Sequence, residues 1–281
     1  MSPALLPPPA WLQHALFDPI LTLMAQSDFE LPADLDELNA LVRLHAPELR
    51  TRAGLPVRFG PQLSSEVGYE AHIDATGEVP TRPQNWHDYF NALAWRVWPR
   101  SKAMCNALHL RTIAAREVAN LTGRGRQRDA MTQFDECGVL VVTSEPAIAA
   151  ALADHAWHEA FWTRRPQLAG TTRFMVLGHA SWDQLRAPFF GLCAKALYRV
   201  VSPAWFDLTP EMQQTEADEW LATEFERRGD LLDPRDFSPL PLMGVPGVTP
   251  DNKQEAYYAD TRQFRPARRT ARQTPEALGL T

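Results

Sequence analysis

Two short apolar runs limit what this chain can become. Gly138-Val139-Leu140-Val141-Val142 and Arg173-Phe174-Met175-Val176-Leu177 are too short for stable helices and lack a polar face, the pattern of strands covered on both sides. After the first run, Thr143-Ser144-Glu145-Pro146 predicts a helix with a hydroxyl cap. After the second, Gly178-His179-Ala180 predicts another helix, running to about Ala194. Tyr198-Arg199-Val200-Val201 supplies a third strand. Strands alternating with helices at these lengths favour a short parallel βαβ core. Ligands of such sheets bind beyond the carboxyl ends of the strands, where Ser144 and His179 stand.

The N-terminal part reads differently. Asp34 and Glu37 have the spacing of a helix cap and its reciprocal partner. Leu35, Leu38 and Val42 follow on one face, and Pro47 is the expected stop. Val57 and Phe59, then Tyr69, Ala71 and Ile73, alternate with polar residues before a Thr76-Gly77 turn, which predicts a small antiparallel β-hairpin. Glu70, His72 and Asp74 would share its solvated face. The expected fold class is α/β or α+β, with a helical and β-hairpin N-terminal part and a short parallel βαβ core in a single domain. A chain of 281 residues, 45% hydrophobic, suffices to bury one such core. The expected layout is a lead-in over residues 1–30, a globular domain over 31–261 and a basic arm over 262–281.

Chemistry-bearing residues concentrate between Thr81 and Trp95. Asn85 suits an N-cap, and Phe90, Leu93, Ala94 and Val97 then repeat on one helix face up to Pro99, the expected end. His87 and Asn91 are four apart on the same helix, so they neighbour one another. A second helix is expected from about Ser101 to Leu121. It carries Met104, Leu108 and Ile113 on one flank and Lys102, Asn106 and His109 on another. If the two helices pack as a hairpin, their polar stripes line a shared cleft.

Net charge is -6 but unevenly spread. Arg96 to Arg128 holds eight basic residues and one acid, whereas Asp207 to Asp236 holds ten acids and three arginines. Either the basic segment meets an anionic ligand or the two blocks neutralise one another across the fold. Within the basic block, Gly123-Arg124-Gly125-Arg126-Gln127-Arg128-Asp129 reads as a loop whose guanidinium forks and exposed N–H groups suit phosphate oxygens, although it matches no nucleotide fingerprint. The tail carries Arg262, Arg265, Arg268, Arg269 and Arg272 without an acid between them, a candidate nucleic-acid contact. No run approaches the ~18 apolar residues of a membrane span, and three scattered cysteines fit reduced thiols, so a cytoplasmic location is expected.

Several of these residues together resemble a known family. Gly77, Thr81-Arg82, Asn85-Trp86-His87-Asp88, Phe90-Asn91-Ala92-Leu93, Trp95, Pro99, Lys102, Asn106 and His109 are similar to the core pattern of the bacterial domain of unknown function 3025. Asp129, Thr132, Phe134-Asp135-Glu136, Gly138, Gly178-His179-Ala180, Gly244-Val245-Pro246-Gly247, Asn252, Tyr258 and Phe264-Arg265-Pro266 extend the resemblance over most of the chain. It implies one coherent bacterial domain and no particular reaction.

Candidate catalytic residues are His87, Asp88, His109, Asp135, Glu136 and His179; candidate ligand-binding residues are Asn91, Lys102, Asn106, Arg124, Arg126 and Arg128. Two or three histidines with a carboxylate would hold a divalent metal such as zinc or manganese for hydrolysis. The same groups could work without metal, with His87 or His109 as base oriented by Asp135 or Glu136. Ser144 or Cys137 could instead serve as nucleophile, but Ser144 lacks a glycine elbow and Cys137 precedes an apolar strand. The function expected is a hydrolase-like enzyme acting through a His/Asp/Asn cleft on an anionic ligand, phosphorylated or not. The alternative is a binding or interaction protein whose polar cluster is architectural.

Overall fold

Gly138 to Thr143 does form a strand buried at every position, and the main sheet is assembled around it. The computed structural model describes residues 7–44, 48–63 and 68–267. Strand β3 (Gly138–Thr143) lies between β4 (Thr172–Val176) and β5 (Cys193–Val200), and β6 (Ser238–Pro241) adds to β5 at the edge, giving the order β4-β3-β5-β6. Strands β3 and β5 pair in parallel, with Gly138 opposite Lys195 and Thr143 opposite Val200. The pairing of β3 with β4 is antiparallel, Val139 opposite Val176 and Thr143 opposite Thr172. That is a correction to the expected all-parallel unit. Helix α7 (Pro146–Ala153) and α8 (Arg165–Thr171) both fit between β3 and β4 and return the chain to the same end, so β4 runs back. Consequently Ser144 and His179 stand at opposite ends of the sheet, about 17 Å apart along a six-residue strand.

A second, two-stranded sheet replaces the expected hairpin. Strands β1 (Arg58–Gly60) and β2 (Glu78–Pro80) pair in parallel, and the connection between them holds helix α3 (Tyr69–Thr76), which contains the residues read as the second strand. Tyr69 and Ile73 are four apart as well as alternating, so a segment this short satisfies both periods. Gly77, in the left-handed region at φ 72°, closes the helix. His72 is therefore on a helix and partly buried, 3.4 Å from Glu78, rather than on a solvated strand face.

The helical framework holds the site. Asp34 caps α2 (Leu35–Arg43) through the N–H groups of Asp36 and Glu37, while Glu37 reaches back to the Ala33 N–H. Pro47 lies outside the described residues. Asn85 caps α4 (Trp86–Val97) by accepting from the Asp88 N–H. Pro99 occupies the first position of α5 (Pro99–Val118), where a missing N–H is no loss. The α5 N-terminus is capped from another helix: Asp218 of α10 (Pro210–Arg228) accepts from the Arg100 and Ser101 N–H groups at 2.9 Å. Opposite charge blocks meet here and nearby, with Arg100 paired to Glu219 and Arg126 to Asp233. The two blocks thus neutralise one another at these contacts.

Helix α6 (Arg126–Cys137) was not expected; it converts half of the supposed arginine loop into helix and carries Asp129, Asp135 and Glu136. Helix α9 (His179–Leu185) is shorter than expected and ends well before β5. The cap of α7 is Glu145, without a side-chain hydrogen bond of its own, and the Thr143 hydroxyl accepts from the Glu145 N–H. Leu12, Leu16, Phe17, Ile20 and Met24 are buried in the same core as the sheet, so the described part of the lead-in contributes to it. Arg262 pairs with Asp260; Arg268, Arg269 and Arg272 lie outside the described residues. Among the described residues, no helix is long and apolar enough to cross a membrane.

Candidate functional site

Helix α6 ends where β3 begins, and α9 begins where β4 ends, so antiparallel pairing sets these two junctions side by side. Gly178 makes the approach close: its own N–H and that of Leu177 both donate to the Gly138 carbonyl. His179 then turns under the end of α6, and its Nδ1 lies 2.9 Å from the backbone oxygen of Asp135. A carbonyl oxygen only accepts, so Nδ1 carries the proton and Nε2 of the neutral ring keeps a lone pair. Burial, aided by the Lys102 charge, pushes the His179 pKa down to about 3, so the ring is neutral near pH 7.

That lone pair faces two further ligand-type groups. His179 Nε2 is 3.5 Å from Glu136 Oε2, and His87 Nε2, from the first turn of α4, is 3.8 Å from the same oxygen. The two imidazole rings are 4.6 Å apart, edge to face. One nitrogen from each and one Glu136 oxygen all lie within 4.8 Å of one another. A divalent ion with bonds near 2.0–2.2 Å holds its ligand atoms about 3–3.5 Å apart, so a contraction of about an ångström would complete a site. Burial raises the Glu136 pKa, against the pull of His87, as expected for a carboxylate without a full cation partner.

Beside this triad, Asp135 turns the other way. Its Oδ1 accepts from Lys102 Nζ at 2.6 Å, and Lys102 also donates to Asn91 Oδ1 at 2.8 Å. Asn91 in turn donates to the Tyr69 hydroxyl. Burial alone would raise the Asp135 carboxyl, but Lys102 outweighs it and holds the pKa below the usual range. Beyond the pair opens a cleft of about 150 Å³ between α3, α5 and α6, bordered by Tyr69, Lys102, Asn106, His109, Asp135 and Glu136. His109 Nδ1 sits 3.7 Å from Glu70 Oε1, too far for a hydrogen bond, and Glu70 also faces Arg128 at 3.3 Å. Burial lowers the His109 pKa, opposed by Glu70 and Asp135.

Of the expected catalytic residues, His87, Glu136 and His179 converge, Asp135 braces His179, and His109 lies in the adjoining cleft. Asp88 points elsewhere. It accepts from the Arg82 backbone N–H at 2.6 Å and from both ends of the Arg82 guanidinium. Burial opposes ionisation, but these bonds prevail and keep the Asp88 pKa low. Asn91, Lys102 and Asn106 belong to the cleft region. The three arginines do not form one anion site: Arg124 pairs with Asp129, Arg126 with Asp233 and Arg128 with Glu70. Cys137 has its thiol pKa raised by burial, and Ser144 is at the far end of the sheet. Glu70 and Tyr69 were missed, because the hairpin reading put Glu70 on a solvated face; the helical spacing of Tyr69, Ile73 and Gly77 was the signal available.

No curated protein and no solved structure matches the chain. A family model described as a protein of unknown function, DUF3025, matches residues 57–268, a span that includes the triad and the whole cleft, and the chain belongs to that family.

Proposed function

We propose that the protein is a metal-dependent, hydrolase-like enzyme whose divalent ion is held by His87, Glu136 and His179. The observation that carries this is the His179 tautomer: a neutral buried imidazole, fixed at Nδ1 by a backbone carbonyl, turns its lone pair toward a second imidazole and a carboxylate. Metal-ligating histidines are commonly held by this kind of outer hydrogen bond. Two nitrogens and one oxygen suit zinc and leave positions open for water, which a bound zinc ion acidifies toward neutral pH. The balanced ion pairs around the cleft support a polar substrate without strong net charge over a polyphosphate.

The test is metal content of the purified protein by mass spectrometry, with titration of zinc and manganese into the metal-free form. About one ion per chain is expected, lost in His87→Ala and Glu136→Gln with the melting transition retained. Absence of uptake, or uptake unaffected by Glu136→Gln, overturns the reading. The second reading, an architectural polar cluster in a binding protein, draws on the number of internal pairs such as Lys102–Asp135. It predicts that the same substitutions unfold the protein without changing metal content. Iron as the bound ion would shift the reaction class to oxidation, since the same donor set serves iron oxygenases.

A further inference from the structure

We infer that the cleft beside the proposed metal centre receives a small uncharged group that both donates and accepts hydrogen bonds, a carboxamide in chemical class. The inference deepens the proposed function by naming its substrate group, but the binding it describes stands on the cleft alone. Three ion pairs stand around the cleft, Lys102 with Asp135, Arg128 with Glu70 and Arg124 with Asp129, while the bordering Glu136 carboxylate is turned to His87 and His179. An anion would have to compete with one of these pairs and a cation with the two imidazoles at Glu136, whereas a neutral polar group leaves all of these contacts intact.

What the cleft leaves open is hydrogen-bonding capacity. Asn106 is 8% exposed and borders the cleft, and its amide has no hydrogen-bond partner among the described residues. An asparagine amide offers two donors and an acceptor, and another carboxamide matches it with one bond in each direction. Tyr69 accepts from Asn91 Nδ2 at 3.2 Å, so its own O–H remains to be donated. His109 is 7% exposed, and its Nδ1 is buried without a hydrogen bond. Buried polar groups in folded proteins are ordinarily paired, so the unpaired Asn106 amide on the cleft border points to a ligand or water that completes it. At about 150 Å³ the space fits a group of a few heavy atoms. Glu136 belongs to both the triad and the cleft border, so a bound amide abuts the proposed ion.

The test is binding of acetamide to the full chain by saturation-transfer NMR, against acetate, methylammonium and inorganic phosphate. Acetamide should bind in the millimolar range expected of so small a probe, about tenfold more tightly than any charged one. Asn106→Asp, of equal size, should weaken acetamide about tenfold or more. Gly170→Ala should leave it unchanged, because Gly170 does not border the cleft and an added Cβ there meets nothing within 4 Å. Acetamide binding retained in a protein that takes up no metal supports this inference while overturning the metal reading. No acetamide binding by the wild-type protein, a charged probe binding as tightly, or Asn106→Asp matching the wild type overturns the inference.

Discussion

Gly178 passes so close to Gly138 that a Cβ on Gly178 would lie 2.3 Å from the Gly138 backbone nitrogen, and 2.5 Å from the Cys137 Cα. Both neighbours are backbone and cannot rotate away. Gly178→Ala should therefore push the end of β4 off the α6–β3 junction and carry His179 with it. Overpacking of this kind costs about 1–3 kcal/mol. A folded Gly178→Ala protein should also bind zinc about tenfold more weakly, since the carbonyl that orients His179 is displaced. Gly170→Ala is the control: an added Cβ there meets nothing within 4 Å, and replacing a helical glycine should stabilise by about 0.5–1 kcal/mol. Urea unfolding and calorimetric zinc titration of both variants check the contrast; equal stabilities would contradict it.

Lys102 and Asp135 form the other tight relationship, with the lysine side chain only 4% exposed. Removing the cation while leaving the carboxylate strands a charge at the base of the cleft. Lys102→Met should cost about 3 kcal/mol in urea unfolding, and Asp135→Asn a smaller amount because the amide still accepts from Lys102. Combining them should cost less than the sum, with a coupling of about 1–2 kcal/mol. Additive losses would show that the pair contributes nothing specific.

The parts of this fold legible in the sequence are those fixed by local chemistry. Asp34 and Asn85 cap helices through their own side chains, and the burial of β3 follows from its uniform apolar composition. The direction of β4 was not legible, because antiparallel and parallel strands buried on both faces share one apolar pattern. That direction decides the site: it puts His179, and not Ser144, beside Glu136. Helix α6 was obscured by its two preceding glycines and its many polar residues, so Asp135 and Glu136 were visible as candidates while their opposite facing was not. His87 and His179 are 92 residues apart, and a proximity of that kind is set by packing of α4 on α9, which no local spacing encodes.

His14 should make stability depend on pH independently of the site. Its ring packs 4.9 Å from Phe17, its Nδ1 is buried without a hydrogen bond, and burial lowers its pKa to about 4. In the unfolded chain a histidine titrates near 6.5. Below that pH the unfolded state takes up a proton that the folded state refuses, so folding weakens as pH falls from about 6.5 and the loss levels off near the folded value of about 4. His14→Gln cannot gain that charge. Near pH 5 the wild-type protein should have lost about 1 kcal/mol relative to His14→Gln, compared with their difference near pH 7, after allowance for the ring's partial contact with water. Urea midpoints of both proteins at the two pH values measure this difference and cancel the other titrating groups. A difference that stays constant with pH would show that His14 protonates freely in the folded state.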